Sequence, residues 1–139
     1  MNILFVCIAN SARSQIAEGL AKALLSKSVA VQSAGSAPSG QVNEYAVQVM
    51  NEIGIDISRH KSKHWDSLPQ SFLASVNFVI TLCEEECPNV GIKSQKLSWA
   101  FEDPAAVKGS KAEMLDSFRK TRDEIKNKIV NLGKENGLF

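Results

Sequence analysis

The most constraining feature of the chain is at its start, where Ile3-Leu4-Phe5-Val6, apolar and without alternation, runs straight into Cys7-Ile8-Ala9-Asn10-Ser11-Ala12-Arg13-Ser14. A continuous apolar run suits a strand covered on both faces of a parallel sheet. Behind the loop, Ile16, Leu20, Ala23 and Leu24 recur at helical spacing with Glu18 and Lys22 on other faces, which predicts an amphipathic helix. A strand, a short polar loop and a helix in immediate succession define one end of an α/β sheet, where such folds bind ligands.

The loop places five residues between a cysteine and an arginine, a C-x5-R spacing. Successive backbone N–H groups curling around one centre, joined by the first N–H groups of the following helix, form a nest for a tetrahedral oxyanion. The candidate oxyanion-binding residues are therefore Ile8, Ala9, Asn10, Ser11, Ala12, Arg13 and Ser14. The Arg13 guanidinium supplies a planar fork for two of the anion's oxygens. The same positive environment favours a thiolate, which makes Cys7 the candidate nucleophile. Ser14 is placed to donate a hydrogen bond to that thiolate or to cap the helix.

The remaining pattern alternates strands and helices. Val29-Ala30-Val31 is a second strand candidate, closed by the turn cluster Ser33 to Gly40. Val42, Tyr45, Ala46, Val49, Met50 and Ile53 mark a helix face with Gly54 as its C-terminal cap. Val76 to Leu82 reads as a strong third strand ending at Cys83, Lys96 to Trp99 as a weaker fourth, and Met114 to Leu132 as a charged final helix. This order predicts an α/β fold with a parallel sheet. The length, 139 residues, predicts a single domain over residues 1–139.

A net charge of +1 argues against binding nucleic acid or an anionic membrane through bulk charge. No stretch approaches the ~20 apolar residues of a membrane span. The N-terminal apolar run, Ile3 to Ala9, is too short and lacks the basic lead of a signal peptide. A cytoplasmic protein is expected, and there thiols stay reduced. The three cysteines, Cys7, Cys83 and Cys87, are then catalytic, redox-active or metal-binding rather than a disulfide scaffold. His60-x3-His64 with Cys83-x3-Cys87 offers four ligands at spacings that zinc tolerates. The histidines, however, sit in a Lys-rich segment, Arg59 to Lys63, that reads as solvated surface, and no metal or other cofactor is expected.

The loop, the following Gln15-Ile16-Ala17-Glu18-Gly19, the Ser33-Ala34-Gly35 turn and Asp103-Pro104 together resemble the low-molecular-weight tyrosine phosphatase superfamily, and within it the thioredoxin-coupled arsenate reductases. The resemblance covers essentially the whole chain. It implies a three-layer sandwich, a four-stranded parallel sheet with helices on both faces. The family loop usually reads C-x-G-N-x-C-R-S, so here Ala9 replaces a glycine and Ala12 a second cysteine. Asp103 takes the general-acid role by resemblance. Asn10, Glu18 and Ser33 match positions that in some members help bind potassium, while the region expected to add an acidic ligand reads Lys61-Ser62-Lys63-His64.

Phosphatase chemistry uses Cys7, Arg13 and a proton donor, and leaves Cys83 and Cys87 without a role. The resemblance to arsenate reductases implies one for each. Cys7 attacks arsenate, Cys83 then attacks the Cys7 sulfur as arsenite departs, and Cys87 takes over the disulfide, which thioredoxin or a similar thiol reductant resets. The catalytic set is then Cys7, Arg13, Cys83, Cys87 and Asp103, with arsenate as substrate and phosphate as its analogue. The alternative is a low-molecular-weight tyrosine phosphatase hydrolysing phosphomonoesters through Cys7. Ala105, where many such phosphatases carry an aromatic residue, counts against phosphotyrosine.

Overall fold

The computed structural model describes residues 1–84 and 89–139. Four strands, β1 (Asn2–Cys7), β2 (Ala30–Gly35), β3 (Phe78–Cys83) and β4 (Gln95–Phe101), form one sheet in the order β2-β1-β3-β4. All three strand pairs are parallel. The helices are α1 (Arg13–Leu24), α2 (Glu44–Asn51), α3 (Gln70–Ala74) and α4 (Lys111–Asn136), with short 3-10 turns at Trp65–Ser67 and Pro104–Ala106. No helix among the described residues is long and apolar enough to cross a membrane.

The unalternating apolar run of β1 is explained by its central place. Successive side chains point to opposite faces, so Ile3 and Phe5 join the core under α1, α2 and α4, with Ile16, Leu20, Met50, Ile80, Phe118 and Ile125. Leu4 and Val6 join a smaller core on the other face, with Val79 and Leu68, against which Trp65 and Phe72 pack. The sheet is thus covered on both faces, by a thick helical layer and a thin one. Trp99 packs on Phe5 at 6.1 Å between ring centres.

The chain leaves β1 toward β2 on one side and later returns to β3 on the other. The sheet order therefore reverses beside β1, and a crevice opens at such a switch point beyond the strands' carboxyl ends. Cys7 stands there.

Several elements run longer than local patterning indicates. The second strand extends through Gly35 instead of stopping near Val31, because all six of its residues pair with β1, from Asn2↔Ala30 to Cys7↔Gly35. Ser33 and Ala34 are strand residues, not turn residues. The last helix begins at Lys111, three residues earlier than its apolar face suggests, on a Ser110/Glu113 capping box. The second helix ends at Asn51, and Gly54 (φ +78) lies in the turn beyond it. The five-residue α3 carries no periodic signal of its own and is held by packing against the thinner core.

Candidate active site

The loop from Ile8 to Ala12 is pinned from outside by its carbonyls. The Ile8 oxygen accepts from the Ala37 N–H (2.9 Å), and the Ala9 oxygen from the Ser39 N–H (3.0 Å) and the Ser62 hydroxyl (2.9 Å). The Asn10 oxygen accepts from the Gln15 amide (3.2 Å) and the Ser11 oxygen from the Asn43 N–H (2.8 Å). In a planar trans peptide the N–H points opposite to the carbonyl. With the oxygens of residues 8 to 11 directed outward, the N–H groups of Ala9, Asn10, Ser11 and Ala12 turn toward the loop's centre. Asn10 makes the turn possible with φ +49, a left-handed conformation that asparagine tolerates better than most residues. Ala9 stays out of that region, so replacing the family's glycine there introduces no strain.

No side chain caps α1. Its N-cap is Ala12, and Ser14 is turned elsewhere, so of the two roles read for Ser14 the capping one is not taken. The Ser14 oxygen lies 2.8 Å from the Cys7 sulfur and accepts from the Asn10 amide at 2.8 Å. Asn10 also donates to the Ser33 hydroxyl (3.0 Å), and Ser33 donates to Glu18 Oε1 (2.7 Å). The directions are dictated by the donor inventory. A carboxylate only accepts, so Ser33 must donate to Glu18. Its oxygen then receives one Asn10 N–H, Ser14 receives the other, and the Ser14 proton is left for Cys7. The Asn10 side-chain oxygen, bonded to the Lys63 N–H (2.9 Å) and the Gln15 amide (3.0 Å), fixes the orientation of the whole chain.

Arg13 is buried, and its Nη1 donates to the Phe101 carbonyl at the end of β4 (3.0 Å). That bond ties the loop to the segment carrying Asp103, two residues on. Asp103 is partly buried and caps the turn after it, accepting from the Ala105 N–H at 3.0 Å. Cys83 ends β3, beside β1, with a register shift between Thr81 and Cys83. Cys83 is disulfide-bonded, whereas Cys7 is free and buried. Cys87, the third cysteine of the expected relay, lies outside the described residues.

Within the segment 59–64, Arg59 and Lys61 are exposed as expected, but His60, Ser62 and Lys63 are half-buried and form a wall of the site. Glu18 is 3 % exposed. Burial by itself would push its carboxyl up, but hydrogen bonds from Lys22 and Ser33 and the charges of Lys63 and Lys22 outweigh it, so its pKa falls below the ordinary 4.5. Lys22 reaches Oε2 at 2.8 Å and Lys63 lies 3.7 Å from Oε1. His60 Nδ1 lies 3.4 Å from Oε2 and 3.1 Å from the Gln15 side-chain oxygen. Burial lowers the His60 pKa despite the attraction of Glu18. The ammonium of Lys63 occupies the neighbourhood where a monovalent metal would need oxygen ligands, so these residues do not fit potassium. Zinc fares no better among the described residues: His60 faces Glu18, His64 stacks on Trp65 with ring centres 4.1 Å apart, and Cys83 is committed to a disulfide.

Residues 2–136 match the family model for low molecular weight phosphotyrosine protein phosphatases. The chain belongs to that family. Within the low molecular weight phosphatase family it is similar to an arsenate reductase of Halalkalibacterium halodurans, 42% identical over 130 residues that make up 91% of each chain. A solved structure of an arsenate reductase in the phosphate binding state superimposes with a TM-score of 0.81 at 33% identity, over 96% of this chain and 97% of the other. A thioredoxin-dependent arsenate reductase of Corynebacterium glutamicum gives 0.72 at 28% identity, over 96% of this chain and 60% of that longer one.

The sequence motif named the loop but missed its supports. Gly35, Ser62, Lys63 and the Phe101 carbonyl act through backbone or through contacts between distant segments, and no local pattern marks them.

Proposed function

We propose that this member of the family is an arsenate reductase working by a three-cysteine relay, with Cys7, Arg13, Cys83, Cys87 and Asp103 as its catalytic residues. The Cys7 thiolate attacks arsenic(V) held by the N–H groups of residues 8 to 14 and by Arg13. Asp103 protonates the departing oxygen, which leaves as water, and a sulfur–arsenic bond has formed. The Cys83 thiolate then attacks the Cys7 sulfur. The sulfur–arsenic bond breaks with its electron pair on arsenic, arsenite departs, and a Cys7–Cys83 disulfide remains. Attack of the Cys87 thiolate on Cys83 returns Cys7 as a thiolate and moves the disulfide to Cys83–Cys87. A dithiol reductant of the thioredoxin type takes up the oxidation and resets the enzyme.

The observation that carries this reading is the pairing of the two described cysteines: Cys83 in a disulfide and Cys7 free. That is the covalent state expected once the relay has released its nucleophile, and hydrolysis of a phosphate ester has no use for it. Geometry supports the transfer. Cys7 is one residue past Val6 and Cys83 two past Thr81, which are register partners on adjacent strands. Strand spacing puts the two Cα atoms roughly 6 Å apart, within the span of about 4.4 to 6.8 Å that a disulfide bridges. Alternation along β3 aims Cys83 away from the Cys7 face, so the attack on Cys7 turns the carboxyl end of this strand. The relatives named as arsenate reductases, one of them thioredoxin-dependent, point the same way.

The test is arsenate-dependent oxidation of NADPH in the presence of thioredoxin and its reductase. Coupled turnover is expected for the wild type and is lost in Cys7→Ser, Cys83→Ser and Cys87→Ser. Undiminished coupled turnover in Cys83→Ser refutes the relay, and fast hydrolysis of phosphotyrosine peptides unaffected by either distal substitution establishes a phosphatase instead.

A further inference from the structure

Behind the reactive loop, a buried carboxylate is the terminus of the hydrogen-bond chain from Cys7 through Ser14, Asn10 and Ser33 to Glu18. An unbalanced negative charge there would oppose both the Cys7 thiolate and the incoming oxyanion. The resemblance at Asn10, Glu18 and Ser33 implies potassium as the ion to meet such a charge, but here the residues do not fit one. We propose that the Lys63 ammonium is the fixed counter-cation of Glu18, doing the electrostatic work of a bound monovalent ion, and that this makes the reactive loop independent of potassium. The inference rests on the loop being the reactive centre, as proposed above, but not on arsenate being its substrate.

Lys22 makes the shorter contact with Glu18, 2.8 Å to Oε2. The Lys63 side chain is only 21% exposed, against 46% for Lys22, so its charge is the less screened of the two. The Lys63 ammonium sits between two oxygens, Glu18 Oε1 at 3.7 Å and the Lys61 carbonyl at 3.2 Å. The Lys61 carbonyl also accepts from the Gln15 amide at 3.0 Å, so it is fixed where the ammonium needs it. Lys63 is tied to the loop at its backbone as well. Its N–H holds the Asn10 side chain at 2.9 Å and its carbonyl accepts from the Gly35 N–H at 2.9 Å. The ammonium faces the same Glu18 oxygen that accepts the Ser33 hydrogen bond. His60, the third group facing Glu18, is pushed toward its neutral form by burial and cannot replace the charge. Lys63 is therefore a positioning residue, which acts through Glu18, Ser33 and Asn10 on the loop.

The experiment uses hydrolysis of para-nitrophenyl phosphate, which needs only the Cys7 loop, together with thermal unfolding. Both are measured at equal ionic strength in potassium chloride and in choline chloride. For the wild type, the rate and the unfolding midpoint are expected to agree in the two salts; a threefold or larger gain in potassium overturns the proposal. Lys63→Met is expected to lose about tenfold in kcat/KM, a fraction of the roughly 100-fold that a 1 Å displacement of reacting groups costs. Neutralising the carboxylate as well, in Glu18→Gln/Lys63→Met, is expected to bring kcat/KM back to within about threefold of the wild type. A purely structural lysine would show no such rescue, so a double variant no better than Lys63→Met refutes the charge-pair role, as does a Lys63→Met enzyme with wild-type kinetics. Failure of the arsenate reading would leave these hydrolysis measurements intact, which keeps the two conclusions separable.

Discussion

Gly35→Ala is the sharpest probe of how β2 supports the loop. Gly35 pairs with Cys7 in the ladder and its N–H is bonded to the Lys63 carbonyl at 2.9 Å. A methyl group built there overlaps the Ile8 carbonyl oxygen and lies 3.0 Å from both the Ile8 carbonyl carbon and the Asn10 nitrogen. All the atoms it meets are backbone, so no side chain can rotate away. The Ile8 oxygen is itself held by the Ala37 N–H at 2.9 Å. Relief requires β2 and the loop to separate by roughly 1 Å, a displacement that costs about 100-fold when it moves reacting groups. The overpacking costs about 1 to 3 kcal/mol, or roughly 3 to 10 °C in the unfolding midpoint for a chain of this size. The assay is para-nitrophenyl phosphate turnover beside thermal unfolding, with Gly54→Ala as control. Gly54 has φ +78 but open space around its α-carbon, so its alanine variant should lose about 1 kcal/mol through backbone strain and keep its activity. Gly35→Ala turnover within threefold of the wild type would refute the claim that close backbone contact with β2 sets the loop's geometry.

Cys83→Ser should abolish thioredoxin-coupled arsenate turnover while leaving aryl phosphate hydrolysis within about twofold, because the loop's own groups are untouched; parallel assays on one preparation decide it. Ser14→Ala removes a buried hydroxyl 2.8 Å from the Cys7 sulfur, and a hydrogen bond to a charged group is worth about 1.5 to 3 kcal/mol. Single-turnover hydrolysis should therefore slow by roughly 10- to 100-fold. The buried His60 has its pKa lowered from 6.5, so the unfolded chain binds its proton at higher pH than the folded one. Its contribution is present above pH 6.5 and is lost as pH falls below 6.5 toward the folded value. Urea unfolding between pH 7.5 and 5.5 should show a shallower decline in His60→Gln than in the wild type.

Much of the site was legible locally because its chemistry is contiguous. Eight successive residues hold the nucleophile, the nest and the guanidinium, and the flanking patterns place them between a buried strand and a helix. Asp103 and Ser33 were reached through family resemblance, since an Asp-Pro pair or a Ser-Ala-Gly turn by itself names no role. The polar segment 59–64 misled for a physical reason: lysine and histidine usually signal solvent, and only a buried carboxylate on another element makes them inward-facing. The strand conformation of Ser33 was missed because serine is a weak strand former, whose extension here comes from pairing with β1.

From its own order of residues the chain determines a buried parallel strand, a C-x5-R loop and the alternation that yields an α/β sheet, because hydrophobic period and backbone preference act over a few neighbours. Tertiary structure alone decides what stands around the loop: Gly35 against Ile8, Lys63 facing Glu18, Arg13 on Phe101, and Cys83 on the strand beside Cys7. Those contacts join segments far apart in the chain, and contacts of that kind are set by how the layers pack, which no local pattern encodes.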